Sequence, residues 1–230
     1  MQKKHLKRFN APKKWSIKRK NITFIAKPTP GPHSINNCLT LNLLLIDILG
    51  YCKTAREVKK VLQKGDVLVD KKKRKDHKFP VGVMDIIDIP KTNESYMVVL
   101  GENNRFKPIK INSGEAGSKV CKIIGKRMLK KGVMQINLYD GKNILVKKDE
   151  YKVGDSVILN LNDNKINSVI KFENGAMIYI AEGKYAGSYG ILKGINGDSK
   201  DGIITIKTDK DEIETLRKYA FVVSKDVFKR

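Results

Sequence analysis

Four residues, Thr54-Ala55-Arg56-Glu57, restrict the local fold of this chain more tightly than any other stretch. A Thr hydroxyl and a Glu carboxylate three positions apart each satisfy an otherwise orphaned backbone N–H, so the tetrapeptide predicts a helix start at Thr54. Gly65 suits the left-handed position just past a helix end. Between them, at roughly 100° per residue, Ala55, Val58, Val61 and Leu62 share one face, and Arg56, Lys59, Lys60 and Gln63 share the opposite one. One side has to dock on apolar neighbours; the other stays basic.

The neighbours lie on either side. Thr40 is an N-cap residue type, Gly50 a stop, and Leu41, Leu44, Leu45, Ile48 and Leu49 recur at helical spacing, which predicts an inward-packed first helix. Val67 to Val69 predicts a strand, Lys71 to Lys75 a basic turn, and Met84 to Ile89 a second extended segment ending at Pro90. Residues 40–90 thus read as one small unit that presents a basic helix face and a basic turn to the same side. A charge run alone is usually a solvated face. Two on one small scaffold favour an anionic partner.

The charge balance points the same way. Lys and Arg number 47 against 24 Asp and Glu, a net +23, and the excess sits early: residues 1–78 carry net +16 and residues 79–230 net +7. That asymmetry is the footprint of a polyanion binder, nucleic acid ahead of an anionic membrane surface. Cys38, Cys52 and Cys121 are odd in number, widely spaced and without a CxxC pair, so neither a disulfide framework nor a zinc site is expected. The longest aliphatic run stops at Asp47, and the basic N-terminus leads into Ala11-Pro12-Lys13-Lys14-Trp15. Neither a membrane span nor a secretory signal is expected, and the chain reads as soluble and intracellular.

Residues 1–39 hold ten basic side chains, no acid and four prolines. Such an arm is expected to order only on a partner. Its Trp15 and Phe9 either anchor on the body or stack on a base, burial being the commoner fate. Beyond residue 90 the pattern is short strands and turns, clearest at Tyr96–Leu100, Val133–Leu138, Ile144–Val146, Val157–Leu159 and Val169–Ile170, with a hairpin turn at Asp140-Gly141. A central β domain over 91–172 and a small SH3-like barrel over 173–230 follow, giving an α+β, multi-domain chain.

No catalytic constellation survives inspection. His5, His33 and His77 lie in basic, irregular segments. Gly183, Gly187 and Gly190 precede a strand and not a helix, which speaks against a dinucleotide loop. They suit positive φ or close backbone approach. Asp209, Asp211, Glu212 and Glu214 read as a solvated turn. No metal, cofactor or small-molecule substrate is expected.

Three stretches together resemble the small-subunit ribosomal protein family S-four-e of archaea and eukaryotes. The arm Lys3-Lys4-His5-Leu6-Lys7-Arg8 with Ala11-Pro12-Lys13-Lys14-Trp15 and Gly31-Pro32-His33 is similar to its N-terminal region. Thr54 to Val58, Gly65-Asp66-Val67, Val69-Asp70 and Phe79 to Asp85 resemble its S-four RNA-binding module, and Gly183 to Gly187 with Tyr189-Gly190 its KOW motif. The family commonly has Gly after the Val-Asp pair where Lys71 stands here, and Ser188 holds a usually basic position. A chain ending soon after the barrel fits an archaeal-type member.

The resemblance implies a structural, non-catalytic component of the cytoplasmic small ribosomal subunit that binds ribosomal RNA and meets neighbouring ribosomal proteins. The expected RNA contacts are, in the arm, Lys3, Lys4, His5, Lys7, Arg8, Lys13, Lys14, Trp15, Lys18, Arg19, Lys20 and His33. At the second helix they are Lys53, Thr54, Arg56, Lys59, Lys60 and Lys64; at the turn, Lys72, Lys73, Arg74 and Lys75; in the glycine loop, Lys184. The alternatives are an RNA-modifying enzyme and a KOW-type transcription or translation factor that share the module.

Overall fold

Helix propensity and capping shape the first part of the chain. A computed structural model describes residues 5–20, 22–101, 103–147, 150–197, 201–208 and 211–224. Lys3, Lys4 and Asp209 fall outside them. Two compact units emerge, Met1–Leu100 with Arg105–Lys119, and Gly101–Asn104 with Val120–Arg230.

In the first unit the predicted capping box is present. Glu57 N–H donates to Thr54 Oγ1 over 3.3 Å, Thr54 N–H lies 3.4 Å from Glu57 Oε2, and the helix Ala55–Lys64 ends at Gly65 with φ 78°. Val58 and Leu62 are fully buried and Val61 half-buried, but Ala55 is exposed at the first turn. The predicted first helix is less regular. It begins at Thr40, whose Oγ1 accepts from Leu43 N–H, runs as α-helix over Leu41–Leu43, and widens into a π-helical turn over Leu44–Ile48. There Leu49 N–H reaches back to Leu44 O over 2.8 Å. The wider turn spoils the 100° repeat: Leu43 joins Leu41, Leu44 and Leu45 inside, and Ile48 and Leu49 are only half-buried.

One five-stranded antiparallel sheet runs in the order Lys72–Lys73, Leu68–Val69, Ile86–Ile89, Glu94–Leu100, Phe106–Ile111. The division expected at residue 90 therefore cuts a hairpin, since Ile89 pairs with Glu94 and Asn93 takes φ 51° between them. Phe106–Ile111 was not predicted as a strand. It contains Pro108, tolerated because this is the sheet edge.

The described residues of the arm are packed on this unit. Leu6–Lys7 pairs with Phe24–Ile25. Trp15 is 2% exposed and donates its indole N–H to Cys38 O over 2.6 Å. Phe106 N–H donates to Lys14 O, and Ser16 Oγ to Phe106 O. One large aromatic with its polar atom satisfied holds a proline-broken segment in place.

The second unit has two antiparallel five-stranded sheets. The first runs Asn143–Val146, Met134–Leu138, Ser118–Met128, Ser156–Asn160, Ile166–Ile170 over a core of Cys121, Ile123, Ile136, Leu138, Val157 and Leu159. Asp140-Gly141 turns its hairpin, with Gly141 at φ 76°. The second sheet runs Glu212–Leu216, Ile203–Lys207, Tyr189–Asn196, Met177–Ile180, Ala220–Val222 around Ile178, Ile180, Leu192, Ile204, Ile206 and Val222. Glu212 and Glu214 are strand residues and not a turn, because Ile213 between them points into that core. Among the described residues no helix is long and apolar enough to cross a membrane.

Candidate nucleic-acid interface

The capped helix leaves Arg56, Lys59, Lys60, Gln63 and Lys64 exposed. Its N-terminus is tied by Glu57, whose Oε2 also accepts from Lys53 N–H over 2.8 Å; that bond and those of Thr54 hold the carboxyl below its usual range. Thr54 is exposed, and its hydroxyl accepts the capping bond that positions the basic face while its O–H proton stays available to donate.

The basic turn is tighter than expected and displaced. Asp70 and Lys71, at φ 50° and 60°, make a two-residue connection, and Lys72 and Lys73 are strand residues paired with Val69 and Leu68. Lys71 is bound inward, Nζ lying 3.0 Å from Asp88 Oδ2. Arg74, expected at RNA, is half-buried and stacks its guanidinium 4.3 Å from the centre of the Phe79 ring. Lys72, Lys73 and Lys75 remain exposed.

Helix and hairpin meet. The aliphatic stem of Lys73 lies against Gly65, where an added Cβ would sit 3.3 Å from Lys73 Cδ. Its charge therefore adjoins the negative end of the helix dipole, beside Lys64. At the segment after the hairpin, burial lowers the His77 pKa, and Lys59 and Lys78 push it the same way against Asp76.

The arm divides. His5, Lys7, Lys13, Lys18 and Lys20 are exposed. Arg8, Lys14, Trp15 and Arg19 are buried or half-buried and bonded within the chain. Arg8 is 6% exposed, donating to Lys18 O over 2.7 Å and lying 3.8 Å from Asp47. Arg19 donates to the carbonyls of Phe9, Ala11 and Pro12. Lys14 Nζ reaches Asn37 Oδ1 at 3.0 Å, and Trp15 is buried as described. An irregular segment leaves carbonyls without ladder partners, and long cationic side chains supply the donors.

His33 is also buried. Its Nε2 lies 3.0 Å from Asp85 Oδ2, which accepts from Gly82 N–H as well. Asp85 Oδ1 takes Lys119 Nζ at 2.6 Å, and the same ammonium lies 2.7 Å from Asp70 Oδ2. Burial pushes Asp85 up, but Lys119 and then His33 overcome it and hold the carboxyl well below the usual range. This network, which ties the hairpin turn to the arm, was invisible in the sequence.

In the glycine loop, Gly183 and Gly187 take φ 88° and 95°, and a Cβ on Gly190 would lie 2.3 Å from Lys207 O. Both expected uses of glycine occur. Lys184 is exposed, its Nζ 5.2 Å from the centre of the Tyr185 ring.

Known families match along this chain in order: an RS4NT domain over residues 2–36, an S4 domain over 42–87, and Ribosomal family S4e over 92–166. Small ribosomal subunit protein eS4 of Methanococcus aeolicus is 43% identical over 233 residues, covering 97% of this chain and 95% of the relative. The chain belongs to the S4e family of ribosomal proteins. The eS4 protein of Methanosphaera stadtmanae is 40% identical over 225 residues, covering 97% of this chain and 93% of that one. The crystal structure of the 30S ribosomal protein S4e from Thermoplasma acidophilum matches with a TM-score of 0.71 at 26% identity, over 82% of this chain and 95% of that one. S4e is a family of ribosomal structural proteins, not of enzymes, which sets aside the RNA-modifying reading.

Proposed function

We propose that this chain is a structural constituent of the small ribosomal subunit, in the cytoplasm, where it binds ribosomal RNA and meets neighbouring ribosomal proteins. The observation that carries the contact assignment is the exposed Arg56, Lys59, Lys60 and Lys64 on a helix whose closing residue, Gly65, meets the side-chain stem of Lys73 from the exposed Lys72–Lys73 hairpin strand. These cations neutralise closely spaced phosphates and release counterions, reading the RNA by shape and backbone. Lys13, Lys18 and Lys20 extend the contact along the arm, and Lys53 and Lys75 border it; Lys184, in the second unit, is a contact of its own. No membrane and no small-molecule substrate enters this reading.

The parts follow as an arm over 1–39, an S-four-type module over 40–90 whose sheet continues to Ile111, a central β domain to 172, and a KOW-bearing SH3-like barrel over 173–230. The antiparallel order of the last five strands and the glycine loop beside them support the barrel.

Cosedimentation tests the role. A stoichiometric constituent stays with small subunits through a moderate salt wash; a protein that leaves is a transient factor. Filter binding to small-subunit RNA tests the contact: six to ten phosphate contacts weaken affinity by about 10³–10⁵-fold between 50 and 200 mM salt. A flat salt response contradicts it.

A further inference from the structure

Of the aromatic residues in the arm, Trp15 alone is spent on anchoring. Phe9 is 71% exposed, Phe24 52%, and the nearby Ile22 68%. One exposed apolar side chain needs no explanation, but three in so short a stretch do.

Their setting narrows the explanation. In the Leu6–Lys7 and Phe24–Ile25 pair, Leu6 lies opposite Ile25, which is buried, and Lys7 lies opposite Phe24, both exposed. Alternation along a strand therefore puts the Phe24 ring and the Lys7 ammonium on the same outward face. His5 and Phe24 meet in a T-shaped pair, ring centroids 5.4 Å apart at 77°, and Phe24 still keeps 52% of its surface exposed. Arg8 and Arg19 are bonded to carbonyls, so among the described residues the exposed lysines about this stretch are Lys7, Lys13, Lys18 and Lys20, and residues 1–39 contain no acid.

We propose that Phe24, edged by His5 and flanked by Lys7, stacks an unpaired nucleobase of the RNA while Lys7 meets the adjoining phosphate. This rests on the ribosomal RNA reading above and adds a contact of a different kind. Each nucleotide offers a planar face and a negative charge a few ångströms apart, which is the complement of this pair. Sequence-tolerant stacking on aromatic faces is a standard mode of binding single-stranded RNA.

The two terms separate by salt. Full-length protein is titrated with protein-free small-subunit RNA over a salt series, with Phe24→Ala, Phe24→Tyr, Phe24→Leu and Lys7→Gln. Stacking predicts that Phe24→Ala loses about 5- to 150-fold in affinity at every salt concentration, with the slope unchanged. Phe24→Tyr keeps the affinity; Phe24→Leu, apolar but not planar, does not. Lys7→Gln lowers the slope by about one. Restored affinity in Phe24→Leu, or undiminished affinity in Phe24→Ala, overturns the proposal. Phe24→benzoylphenylalanine in reconstituted subunits supplies the second readout: a crosslink to a nucleotide supports the stack, and one to a ribosomal protein overturns it. Wild-type protein that fails to bind the RNA at all would sink the ribosomal RNA reading instead, and this contact with it.

Discussion

Lys119 holds its ammonium 2.6 Å from Asp85 Oδ1 in an environment where its side chain is 2% exposed. The same charge is 2.7 Å from Asp70, the first residue of the hairpin turn, and Asp85 in turn fixes His33 and the Gly82 N–H. A buried lysine shared by two carboxylates thus sets where the basic hairpin stands relative to the arm. Buried ion pairs are weak stabilisers compared with apolar packing, but removing one partner strands the other.

Lys119→Met removes from the interior the ammonium that Asp70 and Asp85 share. The expected cost is about 3–5 kcal/mol. Trp15 is the sole tryptophan and is buried in the same unit, so its fluorescence in a urea titration reads the loss. A variant within about 1 kcal/mol of wild type would show that the network is not needed for the fold.

Asp85 also predicts how stability responds to acid. Its carboxyl is depressed in the folded chain, so the unfolded chain binds its proton first as pH falls. The stability it contributes is present above the unfolded value near 3.9 and is lost as pH drops through the folded one. Asp85→Asn lacks this loss. Its stability below about pH 4 should fall less steeply than that of wild type, by up to about 1.4 kcal/mol per pH unit. Parallel curves would contradict the assignment.

Lys71 stands in a left-handed conformation that costs a non-glycine residue about 1–2 kcal/mol, and is held by Asp88. Lys71→Gly relieves the strain but takes the cation from the buried Asp88 carboxylate, so stability should fall by about 1–4 kcal/mol. Because that charge already has a partner, the salt slope of RNA binding should not change, whereas Lys72→Gln should lower it by about one. A lowered slope for Lys71→Gly would make Lys71 a phosphate contact.

Gly82 faces His33 so closely that a Cβ would lie 2.5 Å from the ring. Gly82→Ala should therefore cost about 1–3 kcal/mol by overpacking. Thermal unfolding is the check, with His33→Ala in the same chain expected to reduce the penalty by making room.

What could be read from the sequence was what depends on neighbours in the chain. The Thr54–Glu57 cap, the Gly65 stop and the exposed Arg56, Lys59 and Lys60 face all follow from spacing of three or four residues. The hairpin turn was misplaced by the run of lysines, since Asp70 and Lys71 turn the chain and Lys72 already pairs. Ser118–Met128 and Phe106–Ile111 escaped because lysines interrupt their apolar alternation. Lys119, 34 residues from Asp85 and 49 from Asp70, gave no local sign of burial. Arg8, Lys14, Arg19 and His33 looked like surface cations because nothing nearby revealed the carbonyls and carboxylates that they satisfy.

The helix face and the hairpin together are expected to grip the RNA. Crosslinking of the chain in assembled small subunits, mapped to single residues on both partners, tests this most directly. Nucleotide crosslinks are expected at Arg56, Lys59 or Lys60 together with Lys72 or Lys73, and further ones from Lys7, Lys13, Lys18 or Lys20 of the arm. Nucleotide crosslinks confined to the second unit, with none from residues 53–75 or the arm, would contradict it.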